Sequence, residues 1–412
     1  MLPAMSRQSV VVLGTGHAGV RAAESLRKVG WEGAITIIGE ESGTPYQRPP
    51  VSKALLFAQD GGGDLSLGAG AFAERGIELL PGQRVEAIER ERRRIVLIDG
   101  TRLPYDRLVL APGSRPRRLE LGGALPPNVF YLRSAGDARA LRPQLRPGRR
   151  LVVVGGGLIG LEVAAGAASA GLDVTVLEAM PQLLSRVVPP PVAVRVADIH
   201  QRHDVAIRTG VSIGGLVAET DGVSVSLNDG SALRCDLVLV SAGAVPRTEL
   251  AERAGLEVGN GILTDEGLLT SDPHIFAAGD ACNFPHPLFG TRLRLESQQN
   301  AEDQGRYLGG RIMGNPAPFA TVPWFWSDQF ENTLQIAGVP SLGSIGVVRP
   351  LADGGACSFH LASTSQIVGA AAFGRPDLVS REIGVARRLI GKRASPAPEA
   401  LANPAEDLRV FL

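Results

Sequence analysis

The chain has 412 residues, which is more than one ordinary hydrophobic core holds, so we expect two or three domains. Its 42 Lys and Arg balance its 42 Asp and Glu, which excludes the basic surplus typical of nucleic-acid-binding proteins. The three cysteines lie too far apart in sequence for a metal motif or a CxxC pair, and this pattern indicates a reducing, cytoplasmic compartment.

Residues 1–8 lack the apolar core of a signal peptide. Segment 151–172 is apolar enough to suggest a membrane span, but it contains Glu162 and many glycines, and its pattern is more typical of a strand, a turn and a helix. We therefore expect no membrane association, and a monomer or a weak homodimer in solution.

The chain opens on a buried strand, Ser9–Leu13, followed by a glycine-rich turn at 14–19 (GTGHAG) and a helix to about Gly30. A second strand, Ala34–Ile38, is followed closely by Glu40. A GxGxxG turn between a strand and a helix, with an acid after the next strand, is specific for dinucleotide binding. Glu40 would accept a hydrogen bond from a ribose hydroxyl.

The same pattern returns at Leu151–Val154, with a turn at 155–160 (GGGLIG), a helix to Gly171 and a strand, Val174–Leu177, that ends at Glu178. A carboxylate at this position accepts from a free 2′-hydroxyl and repels a 2′-phosphate, which favours NADH over NADPH. Segments 105–117 and 235–247 also match each other. Two dinucleotide-binding units therefore lie in tandem, and each closes with an apolar strand and a glycine turn.

In each turn the first two glycines let the backbone turn tightly and approach a pyrophosphate, and the third lets the helix pack closely on the strand. The helix N-terminus then faces the phosphates. The predicted contact residues are Gly14, Gly16, His17, Ala18 and Gly19 in the first copy and Gly155, Gly157, Ile159 and Gly160 in the second.

Segment 270–280 ends in IFAAGD, which places Asp280 after a short buried strand at His274–Ala278 and a glycine. Two dinucleotide units could hold FAD and NAD or two nicotinamide nucleotides. This segment favours FAD, because a carboxylate there suits the flexible polyol chain of a flavin.

A helix is predicted from about Ser297 to Met313, and the Pro-rich stretch 315–323 marks a boundary. From Trp324 onward, β-like runs alternate with turns before a late helix near Ser380–Ile390, which predicts a small α+β domain. The tail after Ser395 is rich in Pro and Ala, and we expect it to be loosely ordered.

Several blocks of the chain carry a resemblance to one family. They are 46–53 (YQRPPVSK), 279–280 (GD), 295–297 (LES), 300–301 (NA) and 323–329 (PWFWSDQ). These blocks resemble those of the FAD-dependent NADH:ferredoxin reductases of bacterial oxygenase systems, and the resemblance covers nearly the whole chain. Segment 111–113 (APG) departs from the usual Ala-Thr-Gly of the family but keeps the glycine.

The resemblance implies an α/β fold with two Rossmann-like dinucleotide-binding domains, like that of glutathione reductase, plus a small α+β C-terminal domain. Residues 1–114 and 247–323 would form the FAD domain, 115–246 the NAD domain and 324–412 the C-terminal domain. The implied activity is hydride transfer from NADH to FAD, followed by single-electron transfer to a [2Fe–2S] ferredoxin that serves a cytochrome P450 or a Rieske oxygenase.

The resemblance also assigns residues. Lys53 would lie near the flavin N5 edge, paired with Glu162 near the nicotinamide, and these two are the predicted catalytic residues. Gln298 would donate its backbone N–H to the flavin pyrimidine ring, Asp280 would bind the ribitol, and Trp326 would contact the flavin and face the acceptor. The remaining predicted cofactor-binding residues are Val85, Arg133 and Gly243.

Segment 49–56 contains no cysteine, whereas disulfide reductases of this fold need two near the flavin and NADH peroxidases need one. Electrons would therefore pass directly from the flavin to an external acceptor. Two alternatives remain: a rubredoxin reductase or NADH oxidase with the same chemistry, and a flavin-bound redox sensor of the kind related to apoptosis-inducing factor.

Other charged or titratable groups are interpreted as surface features. His200 and His203 are three residues apart without further ligands in view, which predicts a solvated helix face. Arg92–Arg94 is predicted to be an exposed hairpin end. Arg292 and Arg294 are candidates for docking an acidic ferredoxin.

Overall fold

The computed structural model describes residues 8–63, 65–68, 71–122 and 124–412. Within these ranges the chain divides into two compact units. The first unit contains residues 8–48, 65–115 and 245–321, and the second contains residues 49–63, 116–244 and 322–412. Segment 49–63, which the resemblance assigns to the FAD domain, belongs to the second unit.

The first unit is built on a five-stranded parallel sheet. In spatial order its strands are Ile275–Ala277, Arg107–Leu110, Ser9–Leu13, Ala34–Gly39 and Ile77–Pro81. Val10, Val11, Val12 and Leu13 are all buried, as expected of a central parallel strand covered on both faces.

Antiparallel and mixed elements complete the first unit. A three-stranded sheet contains Val85–Glu89, Arg94–Leu97 and Arg102–Pro104, and a four-stranded mixed sheet contains Val258–Gly259, Gly261–Leu263, Cys282–His286 and Thr291–Leu293. The α-helices of this unit are His17–Lys28, Ala71–Glu74, Glu249–Arg253 and Gln298–Ile312, and its 3₁₀ turns are Arg90–Arg92 and Gly279–Ala281.

Two glycines allow close packing of helices His17–Lys28 and Gln298–Ile312. A Cβ at Gly305 would lie 2.5 Å from the carbonyl oxygen of Ala18, and one at Gly309 would lie 2.3 Å from Ser25 Oγ. Both distances are far below van der Waals contact, so only glycine permits this approach of the two helices.

The second unit repeats the parallel sheet. In spatial order its strands are Ala206–Thr209, Asp173–Glu178, Arg150–Val154, Leu237–Val240 and Val129–Tyr131. An antiparallel sheet contains Ile213–Glu219, Gly222–Leu227 and Ala232–Cys235. The helices of this part are Ala54–Phe57, Ala135–Leu141, Leu158–Ser169 and Pro190–Arg202, with 3₁₀ turns at Pro49–Ser52 and Arg142–Gln144. The short strands Ser114–Pro116 and Ala244–Pro246 lie at two points where the polypeptide passes from one unit to the other.

Residues from Trp324 onward form an antiparallel sheet followed by helices. In spatial order its strands are Trp324–Gln329, Asn332–Gly338, Ile367–Gly374, Ala356–Leu361 and Ile345–Pro350. The helices are Pro376–Gly391 and Pro398–Ala402, with 3₁₀ turns at Pro340–Leu342 and Leu408–Phe411. The predicted fold class, two Rossmann-like units and a small α+β part, is confirmed.

The expectation of a loosely ordered tail is wrong. Leu401 and Leu408 are buried, and the buried guanidinium of Arg349 donates to tail carbonyl oxygens. The carbonyl oxygens of Leu401, Pro404 and Glu406 lie 3.4, 3.3 and 2.8 Å from the guanidinium nitrogens of Arg349. The carbonyl oxygen of Asn403 is a further acceptor. A Pro- and Ala-rich composition therefore does not prevent order where a buried donor satisfies the backbone.

Candidate active site

The glycine turn at 14–19 depends on two contacts that exclude a side chain. Gly14 has a φ of +120°, and a Cβ there would lie 2.0 Å from the carbonyl oxygen of Ala111. A Cβ at Gly19 would lie 2.0 Å from the carbonyl oxygen of Gly14. Around Gly16, by contrast, no described atom lies within 4 Å of an added Cβ, so this position opens onto free space.

The turn at 155–160 has the same design. Gly155 has a φ of +107°, and its added Cβ would lie 2.4 Å from the carbonyl oxygen of Ser241. A Cβ at Gly160 would lie 2.2 Å from the carbonyl oxygen of Gly155. Gly157 again faces open space among the described residues. At the three glycine positions of the GxGxxG pattern, the two turns therefore repeat one arrangement: two glycines that the fold requires and one that only a ligand would require.

Each turn leads into a helix whose N-terminus is uncapped by a side chain. Helices His17–Lys28 and Leu158–Ser169 have Gly16 and Gly157 as N-caps, and within the described chain neither has an acid in its first turn. By contrast, the side chain of Ser134 caps helix Ala135–Leu141 by accepting a hydrogen bond from the Asp137 N–H. Backbone N–H groups at the positive end of a helix dipole suit an anionic group such as a pyrophosphate.

The two predicted ribose carboxylates have different surroundings. Glu178 Oε2 accepts from the Gly156 N–H at 2.8 Å, and Oε1 accepts from the Met180 N–H at 2.8 Å, so the carboxylate is held against the glycine turn. Glu40 is half-exposed and pairs with Arg247 at 2.6 Å and with Arg84 at 3.9 Å.

Asp280 lies in the turn Gly279–Ala281, where its Oδ2 accepts from Ser114 Oγ at 2.9 Å. Gly279 brings this turn to the first glycine turn, since an added Cβ would lie 3.1 Å from Ala18 Cβ. The Gly279 N–H donates to Gln304 Oε1 at 2.7 Å. Sequence reasoning missed Gln304, because a Gln inside a helix carries no signal that it is fully buried.

Gln298 is the first residue of its helix, and Ser297 caps that helix by accepting from the Asn300 N–H at 3.2 Å. The Gln298 side chain donates to Glu302 Oε1 at 3.1 Å. Its backbone N–H therefore lies at the positive end of the helix dipole, the position required of the predicted flavin donor.

His17 is buried within the first unit and uses both ring nitrogens. Nδ1 lies 3.0 Å from Glu302 Oε1, and Nε2 accepts from the Arg48 N–H at 3.2 Å, which assigns the proton to Nδ1. Burial opposes ionisation of Glu302, but hydrogen bonding from Gln298 and the charges of Arg21 and Arg306 outweigh it and lower its pKa to about 2.

Lys53 and Glu162 lie together in the second unit. Lys53 Nζ is 3.0 Å from Glu162 Oε1, although the two residues are 109 positions apart in sequence. Glu162 is buried on helix Leu158–Ser169 and also accepts from Ser52 Oγ and, at 2.7 Å, from Ser327 Oγ. Gly166 on the same helix leaves room for the Phe57 ring, since an added Cβ would lie 2.3 Å from it. This packing fixes the segment that carries Lys53.

The other predicted cofactor residues occupy scattered positions. Trp326 is half-buried on the first C-terminal strand and stacks on Trp324 at 5.1 Å. Val85 begins a strand at a β-bulge. The Arg133 N–H donates to Asp137 Oδ2 at 3.0 Å. Gly243 lies beside the Arg186 guanidinium, and Ile159 is exposed.

One surface interpretation, that of His200, needs correction, and two arginines have backbone contacts that the sequence did not predict. His200 is fully buried and bonded to Gln329, so it does not belong to a solvated helix face. Arg292 donates to the carbonyl oxygens of Thr264 and Asn283 at 2.6 and 2.8 Å. Arg294 is largely buried, pairs with Glu296 and donates to the Asp280 carbonyl oxygen at 3.1 Å. These contacts hold the local backbone, while Arg292 itself remains exposed, so a docking role for the two arginines stays a prediction.

The buried histidines predict an acid-sensitive fold. Burial lowers the pKa values of four histidines, His17, His200, His286 and His360. The unfolded chain takes up these protons near pH 6.5, whereas the folded chain does so only at lower pH. The free energy of unfolding should therefore fall as the pH drops below about 6.5. Urea unfolding midpoints at pH 7.5 and 5.5 test this, and equal midpoints would contradict it.

The comparisons with known proteins identify the family. Residues 8–305 match the family model described as pyridine nucleotide-disulphide oxidoreductase, and residues 324–412 match a reductase C-terminal domain. This chain belongs to the pyridine nucleotide-disulphide oxidoreductase family. The expected cofactors of this family, FAD and NAD(H), are confirmed for the chain.

Several members of this family are similar over almost their whole length. Rhodocoxin reductase of Rhodococcus erythropolis is 40% identical, covering 98% of this chain and 94% of the relative. The ferredoxin–NAD(+) reductase component of the anthranilate 1,2-dioxygenase system of Burkholderia cepacia is 41% identical, covering 99% and 100%. The reductase in the crystal structure of the covalent putidaredoxin reductase–putidaredoxin complex is 38% identical, with a TM-score of 0.92 and 98% of both chains covered.

The residues present fit both cofactors. Gly16 and Gly157 leave room that no described atom fills, and both helix N-termini offer N–H groups to phosphates. Beside the Asp280 turn, Gln304 Nε2 is a buried donor without a partner among the described residues. A buried, unpaired amide donor is costly, and an oxygen of FAD would satisfy it.

No helix in the described part of the chain is long and apolar enough to cross a membrane.

The three cysteines should be unreactive in the folded protein. All are free and buried, and burial raises the pKa of Cys235 to about 11 and that of Cys282 to about 12. Burial also raises the pKa of Cys357. Because the thiolate is the reactive form, we expect no rapid reaction with an aromatic disulfide reagent at pH 8. Unfolding in guanidinium should release three equivalents; rapid labelling of the native protein would contradict the burial.

Proposed function

We propose that this chain is an NADH-dependent, FAD-containing ferredoxin reductase that supplies a bacterial oxygenase system. The observation that carries the proposal is similarity over 98% or more of the chain to three reductases. They are rhodocoxin reductase, the ferredoxin–NAD(+) reductase component of the anthranilate 1,2-dioxygenase system, and the reductase of the putidaredoxin reductase–putidaredoxin complex. When bound, FAD accepts hydride from NADH and releases the two electrons singly.

The proposed roles of the chain's own residues rest on the family resemblance and are supported by their positions. The turns at 14–19 and 155–160 would bind the pyrophosphates of FAD and NADH, with Asp280 on the ribitol and Glu178 on the NADH ribose. The Lys53–Glu162 pair would hold charge beside the reacting atoms, and helix Gln298–Ile312 would stabilise negative charge on the flavin ring. Trp326, Val85, Arg133 and Gly243 remain proposed cofactor contacts.

The domain division predicted from the sequence remains a proposal. Residues 1–114 and 247–323 would form the FAD domain, 115–246 the NAD domain and 324–412 the C-terminal domain. We also propose a [2Fe–2S] cluster in the ferredoxin and a cytochrome P450 or a Rieske oxygenase as its destination. A cytoplasmic location is supported by three unpaired, buried thiols, which suit a reducing compartment. A monomer or weak homodimer is proposed as well.

A reconstituted assay tests the function. NADH-dependent reduction of cytochrome c is measured with a panel of [2Fe–2S] ferredoxins, a rubredoxin, and no carrier. The proposal expects at least one ferredoxin to accelerate the reaction well above the carrier-free rate. Acceleration by rubredoxin alone would favour the rubredoxin reductase alternative, which a 38% identical relative named rubredoxin–NAD(+) reductase supports. Flavin reduction without carrier-dependent turnover would favour the sensor or oxidase alternatives.

Glu178 supplies a second test. We expect the wild-type chain to prefer NADH to NADPH by at least roughly 10-fold in kcat/KM, because a hydrogen bond to a charged group contributes about 1.5–3 kcal/mol. Glu178→Arg should narrow or reverse that preference, and Glu219→Arg, on an antiparallel strand of the same unit, serves as the matched charge control. Equal efficiency with both nucleotides in the wild type would contradict the ribose assignment.

A further inference from the structure

A chain of buried polar groups continues beyond the Lys53–Glu162 pair. Gln329 Nε2 lies 3.2 Å from Ser327 Oγ, and His200 Nε2 lies 2.9 Å from Gln329 Oε1. Ser327, Gln329 and His200 are at most 1% exposed. With the Ser327–Glu162 bond of 2.7 Å, these contacts connect helix Pro190–Arg202, the first C-terminal strand and Glu162 in one network.

The direction of every hydrogen bond in this network follows from its Glu162 end. A carboxylate has no hydrogen, so Ser327 must donate its hydroxyl proton to Glu162. Ser327 then accepts, and Gln329 must present its N–H to it. The amide oxygen of Gln329 therefore faces His200, whose Nε2 must carry the proton.

The surroundings of His200, at the other end of the hydrogen-bond network, agree with this assignment. His200 Nδ1 is buried and has no hydrogen-bond partner among the described residues. A neutral imidazole with its proton on Nε2 has a bare lone pair at Nδ1, which is less costly to leave unpaired than an N–H donor would be. Burial lowers the pKa of His200, which favours the neutral ring.

We infer that Ser327 and Gln329 are positioning residues for the reaction, and that they hold the Glu162 carboxylate against Lys53. The inference rests on the proposed role of the Lys53–Glu162 pair beside the flavin. Lys53 and Ser327 converge on Oε1 of Glu162, while Ser52 bonds to Oε2. Three donors from two segments, the adjacent Ser52 and Lys53 and the first C-terminal strand, leave the carboxylate one orientation, because rotation would break at least one bond.

The first measurement is stopped-flow reduction of the bound flavin by NADH. Ser327→Ala should lower the limiting rate by about 10-fold, the effect of losing a hydrogen bond to a charged group, while the apparent Kd for NADH stays at the parent value. Ser327→Thr, which keeps the hydroxyl, should restore most of the rate. In a Glu162→Gln background, Ser327→Ala should cause no further loss.

Ser358→Ala is the matched control. Ser358 lies on the same C-terminal sheet, is equally buried, and has a side-chain hydrogen bond of its own, with 3.0 Å between its Oγ and His360 Nε2. Within the described chain its hydroxyl makes no hydrogen bond to a residue of the network, so its removal should leave flavin reduction unchanged. A comparable loss of rate in Ser358→Ala would show that the effect of Ser327→Ala is general destabilisation.

The second measurement needs no turnover. The chain contains only three lysines, Lys28, Lys53 and Lys392, so reductive methylation with ¹³C-formaldehyde gives few methyl resonances to assign. The Lys53 resonance should move in Ser327→Ala toward its position in Glu162→Gln, and should stay in place in Ser358→Ala. The ¹⁵N shifts of His200 should show the proton on Nε2.

The outcomes separate this inference from the proposed function. An unmoved Lys53 resonance with unchanged flavin reduction in Ser327→Ala would overturn the inference, as would an additive loss in the Glu162→Gln background. If Lys53→Ala and Glu162→Gln themselves leave flavin reduction unchanged, the proposed role of the pair fails instead. The Lys53 and His200 resonances then decide whether the network positions Glu162.

Discussion

Gly16→Ala is expected to leave the polypeptide folded while weakening FAD retention by about 10- to 100-fold. The backbone at Gly16 has a φ of −79°, which alanine adopts without strain, and no described atom lies within 4 Å of the added methyl group. A methyl group there occupies the space that a pyrophosphate needs in order to reach the helix N-terminus.

Gly14→Ala should behave differently. Its φ of +120° and the 2.0 Å approach to the Ala111 carbonyl oxygen make a side chain incompatible with the turn itself. We expect loss of folded protein, not of FAD alone. The pair of variants therefore separates a glycine required by the ligand from one required by the fold.

The measurement compares FAD content after dialysis with the thermal midpoint of the apoprotein. Gly384→Ala is the control, because that glycine is exposed in a helix and its added Cβ also meets no described atom within 4 Å. It should retain FAD fully. Full FAD occupancy in Gly16→Ala would refute the pyrophosphate assignment.

Much of this site could be predicted because local sequence determines it. A GxGxxG turn needs only a strand before it and a helix after it, and the strands at Ser9–Leu13 and Arg150–Val154 are apolar throughout their buried length. The Lys53–Glu162 contact joins residues 109 positions apart, and only the resemblance to known reductases suggested it. Periodicity and composition do not encode such long-range pairs.

The network around Ser327 could not be predicted for the same reason. Ser, Gln and His are compatible with exposed positions, and only the packing of helix Pro190–Arg202 on the C-terminal sheet buries His200. The backbone contacts of Arg292 and Arg294 could not be predicted either, since an Arg in sequence indicates surface charge, whereas here the guanidinium groups also bind backbone carbonyls. Arginine's planar set of donors suits either role.

Arg349→Met is expected to lower the free energy of unfolding by about 3–5 kcal/mol. Arg349 Nε lies 3.1 Å from Glu382 Oε2, and both side chains are less than a tenth exposed. Removal of the guanidinium leaves the Glu382 charge buried, with the exposed Arg381 as its remaining ion-pair partner among the described residues. The tail carbonyl oxygens that Arg349 bonds would also lose their donor.

Urea unfolding and limited proteolysis measure the effect. Arg375→Met is the control, because Arg375 forms an exposed pair with Asp377, each 62% exposed, and such pairs contribute at most about 1 kcal/mol. We expect proteolysis within 398–412 to accelerate in Arg349→Met only. Replacing both members of a buried ion pair is often nearly neutral. If the Arg349→Met/Glu382→Leu double variant therefore loses less unfolding free energy than Arg349→Met alone, the unpaired Glu382 carboxylate causes much of the destabilisation. If both single arginine variants unfold at the same urea concentration, the tail is held by its buried leucines and not by Arg349.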